Sequence, residues 1–238
     1  MSHTFFLFVM KKVFLAFLIY FFSFQVFSVK RDFKHTYAQD YSLFPKSDYS
    51  SQYSNLLKTI FPSSYCFQSV MFIPRSEMKG YPCKEVLTKL DQMGGIDKEC
   101  FGVSYKDGNT GRLKPIFKKS EYNFSEHELY VKDKTAGGLH FDLKIDEYYG
   151  KNKVYGVMAL LKKNPDNIFL REIKKNEACI FVFIEEMEEG ANLYVLIQCK
   201  FSPLKIKILK RIIENAISGR VLELQNWFYR MICTPQLH

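Results

Sequence analysis

His140 and Asp142 stand two apart in an alternating segment, so their side chains share one face of a strand. Such a pair can orient an imidazole for base catalysis or supply two metal ligands. The same face carries Lys144 and Asp146, and no nucleophile or third ligand is tied to the pair by spacing. A solvated strand face accounts for all four residues, and no catalytic residue is assigned. Glu185, Glu186, Glu188 and Glu189 crowd one turn, where close-set oxygens can hold calcium. They lack the Asp/Asn spacing of a calcium loop, and charged turns also keep hairpins soluble, so no metal site and no cofactor are assigned.

Cys66, Cys83, Cys100, Cys179, Cys199 and Cys233 contain no C-x-x-C pair, which removes the zinc-finger and thioredoxin-type readings. If the last hairpin turns about Gly190, Cys179 and Cys199 fall nearly opposite, and they are the one candidate disulfide. Their apolar neighbours equally suit buried free thiols, as do those of Cys100 and Cys233.

The positioning elements follow from periodicity and turn chemistry. Residues 48–60 form a short helix with Asp48 as its N-cap and Tyr53, Leu56, Leu57 and Ile60 on its apolar face. Pro82 opens a second helix closed by Gly94-Gly95. Strands are expected at 66–73, 99–106, 112–118, 128–134, 139–149, 153–161, 178–186 and 192–200. Residues 139–146 alternate apolar and polar, as a half-buried strand must. Ile180 to Ile184 and Leu193 to Ile197 are apolar on both faces, so the last two strands should be central and covered on both sides.

A long amphipathic helix, 204–232, ends the chain. Leu209, Ile213, Ile217, Val221, Leu224 and Phe228 should face the sheet, with Trp227 just off that face at a rim. Gly219 marks a bend or a close helix–sheet contact. The fold class is α+β: an antiparallel, curved sheet of about six to eight strands, two short N-terminal helices, and the long helix packed on the sheet. That order resembles the helix-grip arrangement of START-like lipid-binding proteins, in which sheet and helix enclose an apolar cavity. On this reading Ile213, Ile217, Leu224, Trp227 and Phe228 contact an apolar ligand.

Residues 1–28 contain no Asp or Glu. Lys11-Lys12, the apolar run 13–22, and Val26 and Ser28 at the −3 and −1 places make a secretory signal peptide. The competing reading, an uncut anchor, has a core short of the roughly 20 apolar residues a bilayer needs. Residues 29–47 read as an extended leader, and 48–238 as one α+β domain. Removing residues 1–28 takes two of the 34 Lys+Arg and none of the 25 Asp+Glu, leaving a formal charge of +7. Basic residues are spread along the whole remaining chain, unlike those of a nucleic-acid reader, and suit an anionic membrane surface or simple solubility.

Three stretches carry a resemblance: Tyr130-Val131-Lys132-Asp133-Lys134-Thr135, residues 173–186 leading into the apolar hairpin, and Ser218-Gly219-Arg220 to Trp227-Phe228. Over residues 83–232 the chain resembles a family of uncharacterised exported spirochaetal proteins, catalogued as a domain of unknown function. The resemblance implies an exported protein of the periplasm or cell envelope and brings no catalytic residue. The sequence thus supports a non-catalytic module binding a lipid or apolar small molecule. The alternative is a structural or interaction component with an envelope protein partner. An enzyme using His140 or a free cysteine ranks last.

Overall fold

The computed structural model describes residues 30–97, 100–166, 173–200 and 207–236, with backbone alone at 207–210, 212 and 213. The expected signal peptide, 1–28, and the side chains of Leu209 and Ile213 therefore lie outside the described residues.

The described residues hold ten strands and three α-helices, in the order β1 (Arg31–Thr36), α1 (Ser50–Ile60), β2 (Tyr65–Pro74), α2 (Cys83–Val86) continued by 3₁₀ turns Leu87–Met93, β3 (Ser104–Lys106), β4 (Leu113–Pro115), β5 (Phe117–Asn123), β6 (Glu128–Asp133), β7 (Gly137–Tyr149), β8 (Lys153–Leu161), β9 (Ala178–Glu186), β10 (Gly190–Cys199) and α3 (Lys207–Cys233). Eight strands form one antiparallel sheet in the order β1-β2-β10-β9-β8-β7-β6-β5, and β3-β4 form a separate small ladder. The fold is α+β, with a large antiparallel sheet and a long C-terminal helix.

β9 and β10 sit at the sheet's centre, where their two-sided apolar pattern requires them. Their faces are covered by different parts of the chain. On one face, Cys66, Cys179, Phe181, Phe183, Tyr194 and Leu196 pack with Tyr53 and Leu57 of α1, and with Tyr41, Leu43 and Phe44 before it. On the other face α3 crosses β10 and β2, held by a Ser69–Gln225 hydrogen bond of 2.6 Å.

Three sequence expectations are corrected. The stretch 29–47 is not all extended leader: Arg31–Thr36 is edge strand β1, paired antiparallel with β2. Its residues lack the alternation of a half-buried strand, because an edge strand exposed on most of its surface needs none. Asp48 does not cap α1; Tyr49 holds the N-cap position without a side-chain bond. Among the described residues strand 99–106 shrinks to Ser104–Lys106, and the expected strand 112–118 divides into β4 and the start of β5, which runs on to Asn123 and closes the sheet's far edge.

Candidate functional site

The face under α3 carries the candidate site, and burial along it is graded. Register places Phe67, Ile197, Ile180, Ala159 and Leu143 in one row across five strands, on the face that also bears Ser69 and so meets α3. The next row toward the β9–β10 turn holds Val195 and Val182, and the one after it Leu193 and Ile184; all four are buried. Ile197 and Ile180 are only half-buried, although they occupy the two central strands. Leu139 and Ala178, toward the same end of that face, are half-buried too.

The helix shows the same gradient. Val221, Leu224, Phe228 and Ile232 recur at three- and four-residue steps and are buried. Ile217, one turn earlier on that stripe, is half-buried. Gln225 donates from Nε2 to the Leu193 carbonyl (2.9 Å), while α3 follows β10 after a short connection. Its earlier residues must therefore lie toward the strand ends that carry Ile197 and Ile180. Half-buried isoleucines on sheet and helix come to the same end of one interface.

Polar anchors fix α3 around this site. Asp133, at the end of β6, accepts from the backbone N–H groups of Thr135 and Ala136, both at 2.7 Å. Arg220 reaches it with Nε and Nη2, each at 2.7 Å, and sends Nη1 to the Ala216 carbonyl (2.8 Å). Burial acts to push the Asp133 carboxyl up, but the Arg220 bonds and charge, with the two amides, hold it below the ordinary carboxylate range. Farther along, Arg230 donates to the carbonyls of Cys100 (3.3 Å) and Gly102 (2.5 Å). Gly80 and Tyr81 donate to the Ile232 and Met231 carbonyls, both at 2.8 Å, satisfying groups that a helix end leaves free. A Cβ on Gly80 would stand 2.2 Å from the Met231 oxygen, so only glycine permits this closure. The C-terminal half of α3 is bound at many points, and the half before Arg220 is not tied in this way among the described residues.

The five expected ligand residues separate accordingly. Ile217 lies at the open end, and Ile213 falls outside the described side chains. Leu224, Trp227 and Phe228 are buried in closed packing, with Trp227 and Phe228 rings edge to face at 5.0 Å. Trp227 is therefore not at a rim but fully buried, and α2 and the β3 segment also lie against α3. Gly219 marks no close contact, since a Cβ there would meet nothing within 4 Å. Sequence reasoning missed Ile180 and Ile197 as site residues, because a doubly apolar strand does not say where its cover ends. It also missed Asp133, Arg220 and Gln225; the available signal was a glutamine directly after Leu224, inside an apolar stripe.

The disulfide expectation fails on register. Cys179 pairs with Gln198 and Cys199 with Ala178, so the two thiols leave the sheet on opposite faces. All six cysteines are free. Burial pushes Cys199 up to about 12 and Cys179 higher still, so both stay protonated, whereas a nucleophilic cysteine needs the thiolate. His140 lies against Tyr130 at 4.8 Å, half-buried, and burial with the Lys163 charge holds it below its ordinary value, Asp166 opposing. Asp142 beside it ion-pairs with Lys162 at 3.2 Å. Glu186 pairs with Arg75 at 2.8 Å, and Glu185 accepts from Asn152 at 2.9 Å. Among the described residues no group of three or more His, Cys, Asp or Glu is placed to hold a metal, and no helix is long and apolar enough to cross a membrane.

No family model and no curated protein matches the chain. Among solved structures it is similar to the protein XoxI from Bacillus cereus, at 12% identity and a TM-score of 0.33 over 68% of this chain and 94% of that one. It is also similar to Ara h 8.0201, at 11% identity and 0.35 over 68% and 96%, and to an uncharacterised protein from Bacillus thuringiensis, at 11% and 0.31 over 68% and 98%. Scores of this size carry no argument about ligand or activity, and the functional reading rests on the chain's own residues.

Proposed function

We propose that this chain is a non-catalytic module that lodges an apolar ligand or lipid between the sheet and the first half of α3, in a helix-grip-like arrangement. The observation that carries the reading is the half-buried state of Ile180 and Ile197. Central strands normally bury such residues fully, a state worth roughly 1.5–3 kcal/mol over full exposure, and part of that gain is forgone here. Ile217 and Leu139 add to the same partly open apolar surface. The absence of a depressed thiol among Cys179 and Cys199 removes support from the cysteine-enzyme reading. A protein partner has little of β9 and β10 left to cover, because α1 and α3 already occupy both faces.

We further take the protein to be exported to the periplasm or cell envelope and akin to the uncharacterised exported spirochaetal family. The charge and length pattern of residues 10–28 supports export. Two of the stretches behind the kinship supply the Asp133–Arg220 pair that joins helix to sheet. Mass spectrometry of the native protein should give an N-terminus at or near Val29; a chain retaining Met10 to Phe27 means an anchor.

Native mass spectrometry of the purified protein tests the ligand, with co-purified lipid expected. Ile217→Trp should then block uptake of a fluorescent fatty acid while leaving the melting temperature nearly unchanged. In a closed core the same substitution overpacks and costs roughly 1–3 kcal/mol, and that loss would refute the proposal.

A further inference from the structure

We infer that the corner formed by the β3–β4 ladder and the β5–β6 edge is a docking surface for an anionic lipid bilayer. Lys106, Arg112, Lys114, Lys118, Lys119, Lys132 and Lys134 are all exposed there. They belong to one contiguous region. Lys134 at the end of β6 donates to the Tyr105 hydroxyl of β3 at 3.2 Å and stands 5.5 Å over its ring. The Lys134 N–H bonds the Ile116 carbonyl, and the Ile116 N–H bonds that of Val103.

The charge here is not balanced within the chain. Lys114 has Asp107 and Lys119 has Glu121, while the nearby Asp133 is buried on Arg220. Lys106, Arg112, Lys118 and Lys132 have no acidic partner among the described residues. Lys119 and Lys132 sit directly opposite each other on adjacent strands, a pairing of like charges that Glu121 offsets at Lys119 alone. Farther along the same face the balance returns, where Lys162 lies between Glu128 and Asp142.

An apolar residue stands among these cations. Leu113 is 41% exposed at the end of the β3–β4 hairpin, opposite Lys106 and flanked in sequence by Arg112 and Lys114. A bilayer uses both parts, since the cations meet anionic headgroups and the leucine enters the acyl boundary. Among the described residues the ring set between these cations is Tyr105, half-buried and covered by Lys134, and exposed Phe124 stands at the far turn of β5–β6, so no run of rings lines the corner for stacking bases.

Vesicle flotation of the full chain tests it, comparing phosphatidylcholine alone with phosphatidylcholine containing phosphatidylglycerol. The quantity read is the gain on adding the anionic lipid, so any headgroup-indifferent binding through residues 1–28 cancels, and all variants share those residues. Wild type should bind anionic vesicles far more strongly than neutral ones and lose that gain in high salt. Each cation at such a surface is worth about fivefold in partitioning, so the triple variant Lys106→Gln, Lys118→Gln, Lys132→Gln should bind about a hundredfold more weakly. Leu113→Ser should lose roughly five- to tenfold. Unchanged thermal unfolding of both variants keeps the comparison fair, since the replaced residues are exposed. Equal binding to both vesicle types, or undiminished binding by the triple variant, overturns the proposal. So does displacement of the protein from vesicles by duplex DNA at equal phosphate concentration.

Discussion

The two faces of the central strands are built from the same two segments of chain and reach different states. On the α1 face, Phe44 lies 4.8 Å from both Phe183 and Tyr194 and 6.1 Å from Phe181, and Tyr53 lies 5.1 Å from Phe181. Glutamines pin the cover there: Gln68 accepts from the Leu43 N–H and the Tyr194 hydroxyl, both at 3.1 Å, and Gln198 joins Tyr41 to the Leu57 carbonyl. Interlocked rings close this face. On the α3 face β9 and β10 present aliphatic side chains, and the cover is anchored mainly from Arg220 onward, leaving isoleucines half-buried at one end. Ile180 and Phe181 are neighbours in sequence, yet one belongs to the open face and the other to the closed one. Apolar content sets that a strand is central, while the anchoring of its cover decides whether the surface is filled.

The strongest way to break this contrast is to remove α3. Val221, Leu224, Trp227, Phe228, Met231 and Ile232 are all buried. At roughly 1.5–3 kcal/mol for each large apolar side chain, their loss exceeds the net stability of a typical domain. A chain truncated before Pro203 should be insoluble or unfolded; a soluble product with native circular dichroism would contradict the packing.

Separating helix from sheet at one anchor comes next. Arg220→Met leaves the Asp133 carboxylate buried without its cation and should cost about 3–5 kcal/mol in urea unfolding, whereas Arg220→Met with Asp133→Leu should recover much of that loss. The pair also has a pH signature. The folded Asp133 value lies below the unfolded one, near 3.9. Its stabilisation is therefore complete above about pH 4 and fades as the pH falls through the folded value. The double variant should lose that part of the acid sensitivity, which equilibrium unfolding at pH 2–6 would register.

Neighbouring truncations then compare the faces directly. Phe181→Ala removes a ring from the closed face and should cost about 3–5 kcal/mol, and Ile180→Ala on the open face about 1 kcal/mol. Equal losses would mean that both faces are filled. A last substitution probes the closed face alone. A Cβ on Gly156 would sit 2.4 Å from the Tyr53 hydroxyl, so Gly156→Ala should overpack it by roughly 1–3 kcal/mol. Tyr53→Phe removes only the nearest of three clashing atoms, since ring carbons stand at 2.8 and 2.9 Å, so a partial recovery in the double variant would identify the contact responsible.

Much of the sheet was legible in the sequence. Residues 153–161 and 178–186 match β8 and β9, since dense apolar runs bounded by turn residues leave little choice. β1 was not legible, because Arg31 to Thr36 takes its place from β2's unpaired edge and not from its own pattern. The candidate site was half legible. Periodicity identified Ile217, Leu224 and Phe228 as one stripe, but all three look alike in sequence. What distinguishes Ile217 is its position before the Arg220 anchor, and that depends on an aspartate 87 residues away. Cys179 and Cys199 illustrate the same limit at finer scale. Counting to a turn's centre is ambiguous by one residue, and one residue moves a side chain to the other face.

The pairing of β2 with β10 bears on how the chain reaches its fold. Tyr65 pairs with Cys199 and Pro74 with Gly190, so the middle of the sheet joins segments separated by half the sequence. Before β10 is available, β2 has one short neighbour in β1 and presents a long apolar edge. Such distant pairing has to close a large loop before it gains any contact, which places folding in the slow range for single domains. A ribosome-bound chain ending before residue 190 cannot complete its core, however well its later meander from β5 to β8 has formed. The protein therefore folds as a late, whole-chain event, with an adhesive strand to be kept from other chains until its distant partner arrives.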